Sequence, residues 1–116
     1  MTNLELVKLL TYHLCNIWDI SSYGVHLKYK KSRFDELSNL ENKEAILTAM
    51  ILEGTNNVRL VCSGENYPIT AETLQNNLPL IDKALLADAM DEDCSFDDFG
   101  SLDFIQMLVF GELIVG

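Results

Sequence analysis

The chain has 116 residues, which is enough for one ordinary domain with one hydrophobic core and too few for two. Its 48% hydrophobic and 22% charged residues match globular averages and exclude a disordered, collagen-like or low-complexity chain. The formal charge of -10 excludes an electrostatic fit to nucleic acid, so we expect no nucleic-acid partner and favour a basic protein partner.

The sequence predicts neither a membrane span nor a secretion signal. No apolar run approaches the roughly 18 residues that a bilayer requires, and the longest apolar patch, residues 104–115, is broken by Gln106, Gly111 and Glu112. Glu5 stands where a signal peptide would be basic. We therefore expect a cytoplasmic protein with no membrane partner.

The cysteines and histidines predict neither a disulfide framework nor a metal site. Cys15, Cys62 and Cys94 are odd in number and none lies within C-x-x-C distance of another. His13 and His26 add no pair with the spacing of metal ligands. We expect reduced, packed thiols, structural histidines, no metal and no cofactor.

The first predicted element is an amphipathic helix that starts at a capping box. Thr2 and Glu5 have the S/T-x-x-E spacing in which each side chain bonds to the other's backbone. The helix is expected to run to about Asp19. Apolar residues recur along it at the three-to-four spacing of one helical face: Leu6, Leu9, Leu10, Leu14, Ile17 and Trp18.

A strand and a second helix follow. Residues 23–31 alternate with a period of two and carry lysines on one side, which predicts a half-buried strand at the edge of a sheet. A helix capped by Ser38 or Asn39 is then predicted to end at Gly54.

The second half is predicted to hold one strand and three helical segments. Val58 to Cys62 is a short β-branched, apolar run typical of a strand. One helix begins at Thr70, and another has Pro79 as its first residue and continues to Met90. Residues 102–115 fit either a helix or a strand, and we favour a helix capped by Ser101 that runs to about Val109.

Without a regular βαβ alternation, these elements predict an α+β fold. We expect residues 1–116 to form a single small domain. It should have an N-terminal amphipathic helix, a short sheet of two to four strands, and three or more further helices.

The strongest functional signal is an acidic segment. Residues 82–103 hold eight acids against Lys83 alone, and Phe96 and Phe99 lie among them. Aromatic anchors within a charged rim are typical of protein interfaces. The alternative is a solvated loop whose phenylalanines pack into the core. The candidate partner-binding residues are Asp88, Asp91, Glu92, Asp93, Phe96, Asp97, Asp98, Phe99 and Asp103.

A short basic stretch is the counterpart of the acidic segment. Lys28, Lys30, Lys31 and Arg33 follow His26 closely. Because the overall field repels phosphate, we expect this stretch to contact the acidic segment, either within one chain or in a dimer.

Residues 99–104, Phe-Gly-Ser-Leu-Asp-Phe, look like the serine motif of acyl carrier proteins. That resemblance implies a helix start at which Ser101 receives phosphopantetheine. Gly100 stands where the family has Asp. The alternative role for Ser101 is an ordinary helix cap.

No nucleophile elbow, phosphate-binding glycine loop or metalloprotease motif is present, so we expect neither an enzyme nor a small-molecule substrate. In overall profile the chain resembles the small bacterial immunity proteins that neutralise nuclease toxins, including those of contact-dependent inhibition systems. That profile implies a non-enzymatic inhibitor whose partner is a cognate toxin domain. The alternatives are an acidic secretion-effector chaperone and, third, an acyl-carrier-like protein.

Overall fold

The computed structural model describes residues 1–54, 56–91 and 97–115. Within them, six α-helices and a three-stranded antiparallel sheet pack on one hydrophobic core, which confirms the predicted α+β class. The helices are α1 (Asn3–Asn16), α2 (Lys31–Glu36), α3 (Lys43–Leu52), α4 (Ala71–Asn77), α5 (Lys83–Met90) and α6 (Asp98–Phe110), and the strands are β1 (Val25–Tyr29), β2 (Val58–Cys62) and β3 (Glu65–Pro68).

The N-terminal helix forms as predicted but ends earlier. Both capping-box bonds are present, from Glu5 N to Thr2 Oγ1 at 3.1 Å and from Thr2 N to Glu5 Oε1 at 3.0 Å. The expected end near Asp19 is wrong, because Ile17 is already extended and Asp19 has a φ of 40°. Trp18 therefore lies beyond the helix and is 77% exposed, instead of extending its apolar face.

The sheet has the order β1-β2-β3, which places β1 at an edge as predicted. β2 and β3 form a hairpin whose two turn residues, Ser63 and Gly64, have φ values of 52° and 79°. Positive φ values at both turn residues are typical of the two-residue turns whose backbone twist matches the right-handed twist of the flanking strands. β3 was not predicted, because its sequence Glu-Asn-Tyr-Pro lacks apolar alternation. The strand pairs with β2 because the turn brings the two segments together.

The predicted second helix forms as α3 but starts later than expected, and the sequence analysis did not predict the short helix α2 before it. α2 follows β1 directly, and α3 is capped by Asn42, whose side chain accepts from Ala45 N at 2.9 Å. The proposed caps at Ser38 and Asn39 are therefore wrong. Gly54 lies just past α3 with a φ of 77°, as expected for a helix stop.

Two later helix starts also differ from the sequence expectation. Pro79 lies in a 3-10 turn, and α5 starts later, capped by Asp82, which accepts from Ala84 N at 2.9 Å. α6 is capped by Asp97, so the cap assigned to Ser101 is wrong. The C-terminal segment is helical to Phe110, slightly beyond the predicted Val109.

The core lies between the sheet and the long helices. α1 contacts α3, α4 and α6, and a buried hydrogen bond of 2.9 Å joins Thr11 of α1 to Thr48 of α3. Cys62 is buried and Cys15 half-buried, and both are free thiols as expected, while Cys94 lies outside the described residues. None of the helices in the described part of the chain has the length and apolar character to cross a bilayer.

The C-terminal tail is held by Gln106, whose side chain is fully buried within α6. Its Oε1 accepts from Ile114 N and Val115 N, both at 2.8 Å, and its Nε2 donates to Val115 O at 2.8 Å. The amide therefore replaces the hydrogen bonds that a strand partner would give the tail.

We expect Gln106→Leu to lower the free energy of unfolding by about 1 to 3 kcal/mol, because it leaves tail amides without a partner. Hydrogen exchange should speed up at Ile114 and Val115. Gln75→Leu is the matched control, since Gln75 makes its bonds in an exposed position and should change stability by less than about 0.5 kcal/mol. Equal losses in urea unfolding would contradict a special role for Gln106.

Candidate functional site

Four of the five described acids of the predicted site lie at two neighbouring helix ends. Asp88 is in the last turn of α5 and Asp91 follows that helix, while Asp97 and Asp98 begin α6. We call these four residues the acidic face. Asp103 lies further along α6 and is half-buried. Three predicted site residues lie outside the described residues: Glu92, Asp93 and Phe96.

His13 of α1 joins these two helix ends. Its Nε2 lies 3.0 Å from Ala89 O, near the end of α5, and its Nδ1 lies 3.2 Å from Ser101 Oγ in α6. The imidazole is only 3% exposed and its ring packs against the Phe104 ring at 5.1 Å. One side chain therefore fixes the spacing of the three helices around the acidic face.

The protonation state of His13 follows from its partners. A carbonyl oxygen only accepts, so Nε2 carries the proton, and in the neutral ring Nδ1 accepts from the Ser101 hydroxyl. Burial lowers the pKa of His13, and this outweighs the opposing effect of the bond to Ala89. The contact is thus made by a neutral histidine.

A polar cleft of about 280 Å³ opens between α1 and these helix ends. Three members of the acidic face reach it, and its lining comprises Tyr12, His13, Asn16, Asp88, Ala89, Asp91, Asp98 and Ser101. A more apolar pocket of about 570 Å³ adjoins it, lined by Met1, Glu5, Lys8, Leu9, Tyr12, Ala89, Met90 and Asp91. Tyr12, Ala89 and Asp91 line both, so the two pockets are neighbours on the surface.

The acids differ in what they contribute to the fold. Asp97 caps α6 by accepting from Gly100 N at 2.7 Å, and Asp98 accepts from Trp18 N at 3.3 Å. Both suit the positive end of a helix dipole. Asp88 and Asp91 lie instead at the negative end of α5, where a carboxylate is unfavourable. The helix dipole therefore favours the charges on α6 and disfavours the charge of Asp88 in the last turn of α5.

The basic stretch makes other ion pairs. Lys31 pairs with Asp35 at 3.9 Å, and Arg33 pairs with Glu36 at 3.1 Å and with Glu53 at 3.0 Å. Among the described residues, these ion pairs include no member of the acidic face. The contact expected within one chain is thus not found in the described structure, whereas a contact between two copies stays a prediction.

Two aromatic side chains flank the acidic face and remain exposed. Phe99 is 61% exposed and meets Tyr23 edge-on at 5.9 Å between ring centroids, so it does not pack into the core. Trp18 was missed because its position continues the apolar spacing of α1. The adjoining Asp19 and the serines after it were the available signal that the helix had already ended.

We expect the free energy of unfolding to decrease as the pH is lowered, because His13 must then be protonated. Since its pKa is lowered in the folded state, its contribution is fully present above about pH 6.5 and is lost as pH falls below that value, by up to about 1.4 kcal/mol per pH unit. Urea unfolding between about pH 7.5 and 5.5 should show this slope. It should flatten in His13→Gln and persist in His26→Gln, which alters an exposed histidine. If His13→Gln left the slope unchanged, protonation of a group other than His13 would be the cause of the pH dependence.

The two kinds of acid can be separated by substitution. Asp97→Ala removes the cap of α6 and should cost about 1 kcal/mol, whereas Asp97→Asn keeps a capping oxygen and should cost little. Asp88→Asn should leave thermal stability unchanged or raise it, because it removes an unfavourable charge from the end of α5. A clear loss of stability in this variant would show that the charge is structural.

The chain matches no protein-family model, no curated protein and no solved structure. Within the described ranges, His, Cys, Asp and Glu side chains form no group of three that could hold a metal ion. The acidic face and the aromatic side chains beside it are therefore the features of the structure that bear on function.

Proposed function

We propose that the protein is a non-enzymatic inhibitor, an acidic immunity protein that neutralises a basic, nuclease-type bacterial toxin by occluding its active-site cleft. The observation that carries this proposal is the gathering of Asp88, Asp91, Asp97 and Asp98 at two converging helix ends. Within the described residues, the ion pairs with Lys and Arg do not include Asp88, Asp97 or Asp98. Carboxylates gathered on one face supply the field that complements a phosphate-binding cleft.

The cost of this arrangement supports a role in binding. Clustered like charges repel one another and destabilise the compact state. The carboxylates at the end of α5 also oppose its dipole. Attraction to a basic partner bound against these carboxylates would offset both effects. The proposed partner is the cognate toxin domain, met in the cytoplasm, and the proposal needs neither cofactor nor small-molecule substrate.

The His13 and Ser101 pair supports a structural role more than a catalytic one. A serine hydroxyl next to a histidine is the layout of a nucleophile and its base. Here both side chains are buried, at 3% and 7% exposure, and the Nε2 proton is donated to Ala89 O. A buried, hydrogen-bonded Ser101 also disfavours the acyl-carrier alternative, which requires an accessible hydroxyl.

A secretion-effector chaperone is the second candidate, favoured by the pocket of about 570 Å³ beside α1. Leu9, Tyr12 and Met90 give it apolar walls suited to an extended segment of another chain. Such binding depends on apolar burial, so it should depend weakly on salt. The inhibitor should associate at a rate that falls steeply with salt.

The test begins with the genes that flank this one. We expect a large secreted protein encoded immediately upstream, with a basic C-terminal domain that stops growth when expressed alone. Co-expression of this chain should restore growth. A variant with Asp88, Asp91, Asp97 and Asp98 all changed to Asn should remain folded and bind more weakly, with most of the loss in association rate.

The matched control changes Asp35 and Glu36 of α2 to Asn and Gln, which removes acids distant in sequence from the acidic face. Binding should then be retained. Unchanged protection by the fourfold variant would contradict the proposed site. Association that is insensitive to salt between about 50 and about 500 mM would favour the chaperone.

A further inference from the structure

Trp18 has the most exposed large hydrophobic side chain among the described residues, at 77%, and Phe99 follows at 61%. Aromatic side chains of this size bury about 150 to 250 Å² each when covered, and tryptophan is enriched among the residues that dominate binding energy. Neither side chain is required to fill the core. Their exposure leaves a large amount of apolar area available for a partner.

Trp18 and Phe99 are brought into one region of the protein because the segment after α1 lies against the start of α6. Trp18 N donates to Asp98 Oδ1 at 3.3 Å, and the Tyr23 and Phe99 rings meet at 5.9 Å. These two contacts place both Trp18 and Tyr23 against the start of α6. We call Trp18, Tyr23 and Phe99 the aromatic surface.

The aromatic surface is framed by negative charge. Asp19 adjoins Trp18, and Asp97 and Asp98 adjoin Phe99. In the described part of the chain, none of these three acids forms an ion pair with a Lys or Arg side chain. The two charges at the start of α6 exceed the partial positive charge of roughly one half that a helix N-terminus supplies. An approaching cation therefore meets exposed aromatic side chains and carboxylates in the same region.

We propose that the aromatic surface binds an arginine side chain of the basic partner, with the guanidinium stacked on Trp18 or Phe99 and hydrogen bonded to Asp97 or Asp98. This inference rests on the proposed function and names the chemistry of the contact. Arginine fits better than lysine because its planar guanidinium stacks on aromatic faces and donates two parallel hydrogen bonds to a carboxylate.

Trp18 is the single tryptophan of the chain, so its fluorescence reports on this surface directly. The probe is a blocked hexapeptide of alternating arginine and leucine. Titration should shift the emission to shorter wavelength with saturation, and the lysine and leucine peptide should bind more weakly. A glutamate and leucine peptide should not bind. Absence of saturable binding by the arginine peptide, or equal binding of all three, would overturn the proposal.

Calorimetric titration of variants then locates the contact. Trp18→Ala and Phe99→Ala should each weaken binding of the arginine peptide by about ten-fold or more, without a change in melting temperature. Leu80→Ala and Leu113→Ala are matched controls, since both remove side chains that are 57% exposed elsewhere, and both should retain binding.

The outcomes separate this inference from the proposed function. If Asp88→Asn and Asp91→Asn abolish toxin neutralisation while Trp18→Ala and Phe99→Ala leave both toxin and peptide binding unchanged, the acidic face stands and the arginine contact is wrong. If the peptide binds as described but no basic toxin is inhibited, the arginine contact stands and the inhibitor function is wrong.

Discussion

The contact of His13 with Ala89 and Ser101 is the constraint on which the rest of the site depends. It joins α1 to the end of α5 and the start of α6 through one buried imidazole, with bonds of 3.0 and 3.2 Å. Because each of its ring nitrogens meets a different helix, the spacing of the acidic face is set from within the core.

That arrangement concentrates negative charge at a cost to stability. Asp97 and Asp98 recover part of the cost as the cap and first turn of α6, whereas Asp88 and Asp91 oppose the dipole of α5. The exposed rings of Trp18 and Phe99 add an apolar component to the same region. Tight protein interfaces combine charged residues, which speed association, with buried aromatic side chains, which supply much of the binding free energy.

Local sequence signals predicted the elements that depend on local interactions. The capping box at Thr2, the alternation of β1, the β-branched run of β2 and the cap at Thr70 all appear in the structure. β3 was not predictable, because its polar residues pair only once the Ser63 and Gly64 turn has formed.

The site was predictable in part. The clustering of acids and aromatic residues in the sequence identified five of the described site residues: Asp88, Asp91, Asp97, Asp98 and Phe99. The approach of the two helix ends was not predictable, because it depends on the contact between His13 and Ser101, which are 88 residues apart in sequence. The apolar periodicity assigned Trp18 to the apolar face of α1, because periodicity does not show where a helix ends. The helix in fact ends at Asn16, two residues before Trp18. The role of Ser101 was likewise hidden, because a serine near a helix start is read as a cap when its long-range partner is unknown.

Charged quenchers of Trp18 fluorescence test most directly whether an exposed aromatic surface lies within a negative field. Caesium and iodide quenching would be compared after each is normalised to a free tryptophan amide, at low ionic strength. Caesium should be the more effective ion, and its advantage should shrink when Asp97 and Asp98 are changed to Asn or when salt is raised. Equal quenching by both ions, or stronger quenching by iodide, would contradict the account.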